Sequence, residues 1–150
     1  MSGVAYPLVL YVDDACPLCH TEMTGLSARD TRGCLRPVDA SVAGFAGDEA
    51  TRAAGFDQAT LLHRLHARDA NGQWLVGIPV FAAAYEAAGI AWMAKLLRVR
   101  ALRPLFDLGY ALVADHRRLL VKLGAPRLLA RLLKNRVRVP IQVRAEHEPE

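Results

Sequence analysis

The first pattern in the chain is an unbroken apolar run, Pro7-Leu8-Val9-Leu10-Tyr11-Val12, that stops at Asp13-Asp14. A run of that length without polar alternation predicts a strand covered on both faces, central and parallel in its sheet. The spacing then predicts a helix from about Pro17 to Arg29, with Pro17 in its first turn and Leu18, Met23 and Leu26 facing inward. Asp30-Thr31-Arg32-Gly33 closes it, with Gly33 as the cap. Cys34 to Val38 reads as a second strand, and the Ala- and Gly-rich stretch from Val42 to Ala54 as a loop or weak helix. Leu61 to Arg68 alternates loosely and predicts a third strand. Asn71-Gly72 is a strong hairpin signal, and Gln73 to Gly77 returns as its partner. Val80 to Ala88 reads as a helix that starts beyond Pro79.

The order strand, helix, strand, helix, hairpin, helix makes the first two strands parallel neighbours and adds the hairpin antiparallel to the same sheet. The expected architecture is α/β, a thioredoxin-like sheet with flanking helices and a helical C-terminal extension. Beyond Gly89 the pattern is helical throughout: Ile90 to Val99, Pro104 to Leu123 and Ala125 to Asn135. The division expected is a sheet domain over 1–90, a basic helical extension packed on it over 91–136, and an extended, flexible tail over 137–150.

Composition narrows the class. The chain has 150 residues and 53% hydrophobic content, enough for one domain with a core of its own. Three cysteines, an odd and small number, argue against a secreted disulfide framework. No signal peptide is visible, and no apolar run approaches the roughly 18 residues of a membrane span. The expected location is cytoplasmic, where thiols start reduced and a disulfide is transient or catalytic.

The chemistry concentrates in Asp13-Asp14-Ala15-Cys16-Pro17-Leu18-Cys19-His20. A C-x-x-C pair between a strand and a helix places a thiol against unpaired N–H groups and the positive end of the helix dipole. Both favour the thiolate, which is the nucleophilic form. Cys16 is the expected nucleophile, at the helix N-cap, the more exposed of the two and the lower in pKa. Cys19, one turn inward, is the resolving thiol. Asp13 is either a proton acceptor for Cys19 or a cap for the helix, and the cap is the favoured role. This makes a redox-active disulfide the leading reading over a pair of ordinary buried cysteines.

Other readings of the same residues are weaker. Cys16-Pro17-Leu18-Cys19-His20 fits the c-type haem attachment pattern, yet no export signal accompanies it and no second axial ligand is evident: Met23 is too close in sequence, and Met93 is no more than a candidate. A structural zinc site wants four ligands. His63 and His66, three apart on the expected strand, would point to opposite faces. No cofactor and no metal are therefore expected. Cys34 reads as a small core residue.

Taken together, Tyr11-Val12-Asp13-Asp14-Ala15-Cys16-Pro17-Leu18-Cys19 resembles the Asp-Gly-x-Cys-x-x-Cys signature of the DCC family of thiol–disulfide oxidoreductases. Arg29-Asp30, Arg36-Pro37-Val38-Asp39 and Ala70-Asn71-Gly72-Gln73-Trp74-Leu75-Val76-Gly77 extend the likeness, as does Tyr110-Ala111-Leu112-Val113-Ala114-Asp115-His116-Arg117. The resemblance covers about 7–120 and implies a thioredoxin-like fold with a redox dithiol acting on a thiol or disulfide substrate, protein or small molecule. Asp14 stands where the family pattern has glycine. Gln58-Ala59-Thr60-Leu61, the stretch where thioredoxins carry a cis-proline, has none. Pro17, Leu18 and Thr60 are the candidate substrate-binding positions.

Charge is distributed unevenly. Residues 1–94 hold six arginines against ten acidic residues, whereas 95–144 hold thirteen Lys and Arg against Asp107 and Asp115. This supports an alternative function of another class: a non-catalytic binding module whose basic helices recruit an acidic partner or a membrane surface, with the cysteines a metal clip or relic. No aromatic interleaving or helix-turn-helix pattern accompanies the basic residues, so nucleic acid is not an expected partner.

Overall fold

A computed structural model describes residues 3–133. Four strands form its sheet: β1 (Leu8–Val12), β2 (Leu35–Asp39), β3 (His66–Arg68) and β4 (Trp74–Val76). They lie in the order β2-β1-β3-β4. β1 runs parallel to β2, with Leu8 opposite Leu35 and Val12 opposite Asp39. It runs antiparallel to β3, with Tyr11 opposite His66, and β3 and β4 form the antiparallel hairpin. The sheet is therefore mixed, with β1 central as its apolar run predicts. Helix α1 (Pro17–Arg29) links the two parallel strands. Its C-cap is Asp30, not the expected Gly33, which takes a positive φ of 66° in the turn beyond.

Strand alternation builds two cores. Leu8, Leu10 and Val12 pack with Met23 and Leu26 of α1 and with Val80, Ala83, Ala84 and Ala87 of α4 (Ile78–Ala87). The alanines of α4 let it lie close to the sheet. On the other face Tyr11 packs with Leu61, Phe56 and Trp74. The Tyr11 hydroxyl donates to the Asp48 carboxylate. Asp48 also caps the short helix α2 (Glu49–Ala53) by accepting from the Thr51 N–H at 2.8 Å.

The predicted strand over Leu61 to Arg68 is corrected. Residues Gln58–His63 are helix α3, and only His66–Arg68 are strand. Asp57 starts the helix by accepting from the Thr60 N–H at 2.8 Å, a cap that overrides the loose alternation beyond it. His63 and His66 thus do not share a strand. His63 ends α3, exposed, whereas His66 is buried on β3 with its ring 4.8 Å from that of Phe56.

The C-terminal helices cover one side of this unit. α5 (Ala91–Leu97) packs on α4, and the Arg98 guanidinium pairs with Glu86. A 3-10 turn, Arg100–Leu102, leads into α6 (Arg103–Lys122), which touches α1 and α4. α7 (Ala125–Leu133) packs against α1. The arrangement is an α/β thioredoxin-like fold with flanking helices. The expected tail over 137–150, and the end of the expected extension, lie outside the described residues.

Candidate redox site

The dithiol loop leaves the end of β1 and is anchored from the end of β2. Asp14 donates its N–H to Asp39 Oδ1 at 3.4 Å, and Ala15 donates its N–H to Ser41 Oγ at 3.1 Å. Ser41 in turn donates its own N–H to Asp39 Oδ1 at 2.8 Å. Parallel pairing of β1 with β2 is what puts Asp39 beside the loop. His20, exposed in the first turns of α1, pairs through Nδ1 with Asp14 Oδ1 at 2.5 Å. Asp14 thereby has a local side-chain partner where the family pattern has glycine.

Cys16 is the N-cap of α1 and Pro17 follows it in the first turn. Asp13 is therefore not the cap, contrary to the favoured expectation. Its backbone carbonyl accepts from the Cys16 N–H at 3.2 Å, and its carboxylate turns away to Arg117 Nη1 of α6 at 3.0 Å. Cys16 makes no conventional side-chain cap. The sulfur nonetheless occupies the place where a capping oxygen would sit, facing the backbone N–H groups of Cys19 and Leu18.

The electrostatics of the pair follow from this geometry. The Cys19 thiol donates toward Cys16 and, against the opposing effect of burial, lowers the Cys16 pKa to about 6, with the two backbone N–H groups adding to the shift. Cys19 moves strongly upward, first because it keeps its proton on that hydrogen bond, then through burial. Asp13 opposes ionisation of both thiols, and Arg117 favours it at Cys19. The expected order of exposure is reversed: Cys16 is 8% exposed and Cys19 is half-buried. The first turn of α1 packs Cys16 down onto the helix end while Cys19 faces a cavity.

That cavity measures about 100 Å³ and is mostly apolar. Cys19, Leu18, Leu61, Phe81 and Tyr110 are among the residues that line it, with Asp13 and Arg117 as its charged pair. Arg117 also donates to the Leu62 carbonyl at 3.1 Å, and the Leu65 N–H donates to the Tyr110 hydroxyl at 2.7 Å. Helix α6 therefore forms one wall of the site. Glu22, one turn beyond Cys19, lines this cavity and a neighbouring one of about 290 Å³ between α4, α5 and α6. Burial raises its pKa to about 7, opposed by the Tyr85 hydroxyl, which donates to it at 3.0 Å.

The chain matches the family of DCC1-like thiol-disulfide oxidoreductases over residues 10–123. It belongs to that family. The match spans the end of β1, the dithiol loop, β2 to β4 and α6, so the helix that closes the cavity is within the family unit. A chloroplastic protein of Arabidopsis thaliana, itself uncharacterized, is 27% identical over 113 residues, covering 75% of this chain and 51% of that protein. The chain thus spans about half the length of the curated relative it matches. No solved structure matches.

For a DCC1-like oxidoreductase the site gathers some predicted residues and not others. Cys16, Cys19, Asp13 and Leu18 lie together, with Pro17 exposed beside Cys16. Thr60 is elsewhere, exposed in the first turn of α3 and not among the cavity-lining residues. Among the described residues no group of three or more His, Cys, Asp and Glu side chains is placed to hold a metal ion, although His63 lines the same cavity as Cys19. Cys34 packs at the edge of the first core. Sequence reasoning missed Arg117, Tyr110, Glu22, Asp39 and Ser41. A signal existed for Asp39, Tyr110 and Arg117, which stand in the stretches that carry the family resemblance, whereas Glu22 reads as one more polar helix position.

Proposed function

We propose that the protein exchanges thiols and disulfides through Cys16 and Cys19. Cys16, as thiolate, attacks a substrate disulfide. One substrate sulfur leaves as thiolate and a mixed disulfide forms. Cys19 gives up its proton to the Asp13 carboxylate and attacks Cys16 Sγ. The second substrate sulfur leaves, a Cys16–Cys19 disulfide forms, and two electrons have passed to the substrate. The reverse sequence oxidises a substrate dithiol. Pro17 and Leu18 are the proposed substrate contacts, one exposed beside the nucleophile and one in the cavity wall. A cytoplasmic setting, proposed from cysteine usage, makes the dithiol the resting form.

The observation that carries this reading is Cys16 at the N-cap of α1, with the Cys19 thiol and two backbone N–H groups directed at its sulfur. The test is a redox titration in glutathione buffers, following the Cys16–Cys19 bond by alkylation and mass spectrometry. The expected result is one reversible two-electron transition, within the roughly −270 to −120 mV spanned by C-x-x-C proteins, absent from Cys16→Ser. Thiols that never pair at any poise would overturn the reading.

A further inference from the structure

α6 carries two faces with different partners. Phe106, Tyr110 and Val113 face the protein, lining the cavities described above. Leu108, Leu112, Leu119 and, at the C-cap, Leu123 are each more than half exposed. Their spacing returns every few residues to one side of a 3.6-residue helix, so they form a single outer stripe. Leu128 and Leu132, also more than half exposed and one turn apart, continue the apolar surface on α7, and Trp92 of α5 is similarly exposed.

Charge accompanies the stripe. From Lys95 onward the described residues include nine Lys and Arg against Asp107 and Asp115. Arg98, Arg103 and Arg117 are held in ion pairs with Glu86, Asp107 and Asp13. Among the described residues the other six, Lys95, Arg100, Arg118, Lys122, Arg127 and Arg131, pair with no carboxylate. Arg118 and Lys122 lie one turn apart on α6, as do Arg127 and Arg131 on α7.

We infer that α6 and α7 dock this protein on an anionic membrane surface, with the leucine stripe in the acyl boundary and the unpaired cations among the headgroups. An interfacial helix needs an apolar face bounded by Lys and Arg, and the two helices supply both. At twenty residues α6 is about 30 Å long, yet no described helix is apolar enough to cross a membrane. The geometry is that of a helix lying in the interface plane. A second copy of the chain is a poorer occupant, because two such faces would bring like charges together. Since the inner side of α6 is a wall of the dithiol cavity, docking would hold the redox site one helix away from the lipid.

The test is flotation of the purified full chain with phosphatidylcholine vesicles, and with the same vesicles carrying about one-third phosphatidylglycerol. Binding is expected only to the anionic vesicles and weakens as salt rises. Leu112→Gln/Leu119→Gln lowers binding at least about tenfold, and Arg118→Ala/Lys122→Ala roughly 30-fold. Both variants keep the wild-type Cys16 alkylation rate, which separates this surface from the dithiol chemistry. Equal binding to neutral and anionic vesicles, or no binding to either, overturns the inference. So does full vesicle binding by the leucine variant, which would leave a charge patch without insertion. A wild-type dimer that the leucine variant turns monomeric would assign the stripe to a second copy instead.

Discussion

Arg117 of α6 lies 3.0 Å from the Asp13 carboxylate and donates to the Leu62 carbonyl in the last turn of α3. One guanidinium thus ties the C-terminal helices to the dithiol loop and to the segment that feeds β3. It is also the cation that favours ionisation of Cys19. Arg117→Met leaves Asp13, only 12% exposed at its side chain, without its partner. The expected loss is about 1–3 kcal/mol in urea unfolding, less than for a fully buried pair because Arg117 keeps some contact with water. Release of the mixed disulfide by Cys19 should also slow. Arg117→Lys should recover part of both effects, and unchanged stability and release in Arg117→Met would show that the pair is idle.

The thiolate of Cys16 should be measurable directly. Iodoacetamide reacts with the thiolate, so its rate at Cys16 should rise with pH to a plateau with a midpoint near 6, well below the usual value of about 8.5. Cys19→Ala removes the largest favourable contact and should move that midpoint upward. A wild-type midpoint at the ordinary value would mean that the helix end and Cys19 do not stabilise the charge.

Glu22 makes stability depend on pH in a defined direction. Its folded pKa is raised to about 7, so the unfolded chain releases this proton first, from about 4.3. Its contribution to stability is therefore full below that value and is lost as pH rises through the folded pKa. Glu22→Gln should raise the urea midpoint at pH 8 relative to wild type and change it little at pH 4. Cys16 acts oppositely over a higher window: its lowered pKa adds stability as pH rises above about 6. The comparison of wild type with Glu22→Gln isolates the carboxyl, and parallel pH profiles for the two would rule this role out.

Gly77 is the N-cap of α4 at φ 69°, ψ −129°, a backbone conformation that side chains rarely adopt. A Cβ there would also lie 3.6 Å from the Tyr110 ring, an ordinary contact, so the cost is conformational. Gly77→Ala should lower stability by about 1–3 kcal/mol, read as a lower Tm. No change would mean that the backbone relaxes without loss.

β1, α1, the hairpin turn and the dithiol are legible in the chain, because each rests on neighbouring residues. An apolar run makes a central strand, Pro17 after Cys16 starts a helix, and Asn71-Gly72 makes a tight turn. The helical character of the C-terminal third is legible in the same way. Leu61 to Arg68 is misleading as a pattern, because the capping bond from Asp57 to the Thr60 N–H outweighs the loose alternation that follows it. What surrounds the dithiol follows from long-range packing. Asp13 spends its charge on Arg117 rather than on a helix end, since α6 folds back over the loop. Tyr110 and Leu65, and Asp39 and Ala15 through Ser41, meet for the same reason: strand pairing and helix packing join residues far apart in the chain. Likewise Glu22 reads as one more polar helix position until α4 and α6 cover it. Local pattern specifies the reactive thiols, whereas their proton affinities depend on burial and on charges brought in from distant elements.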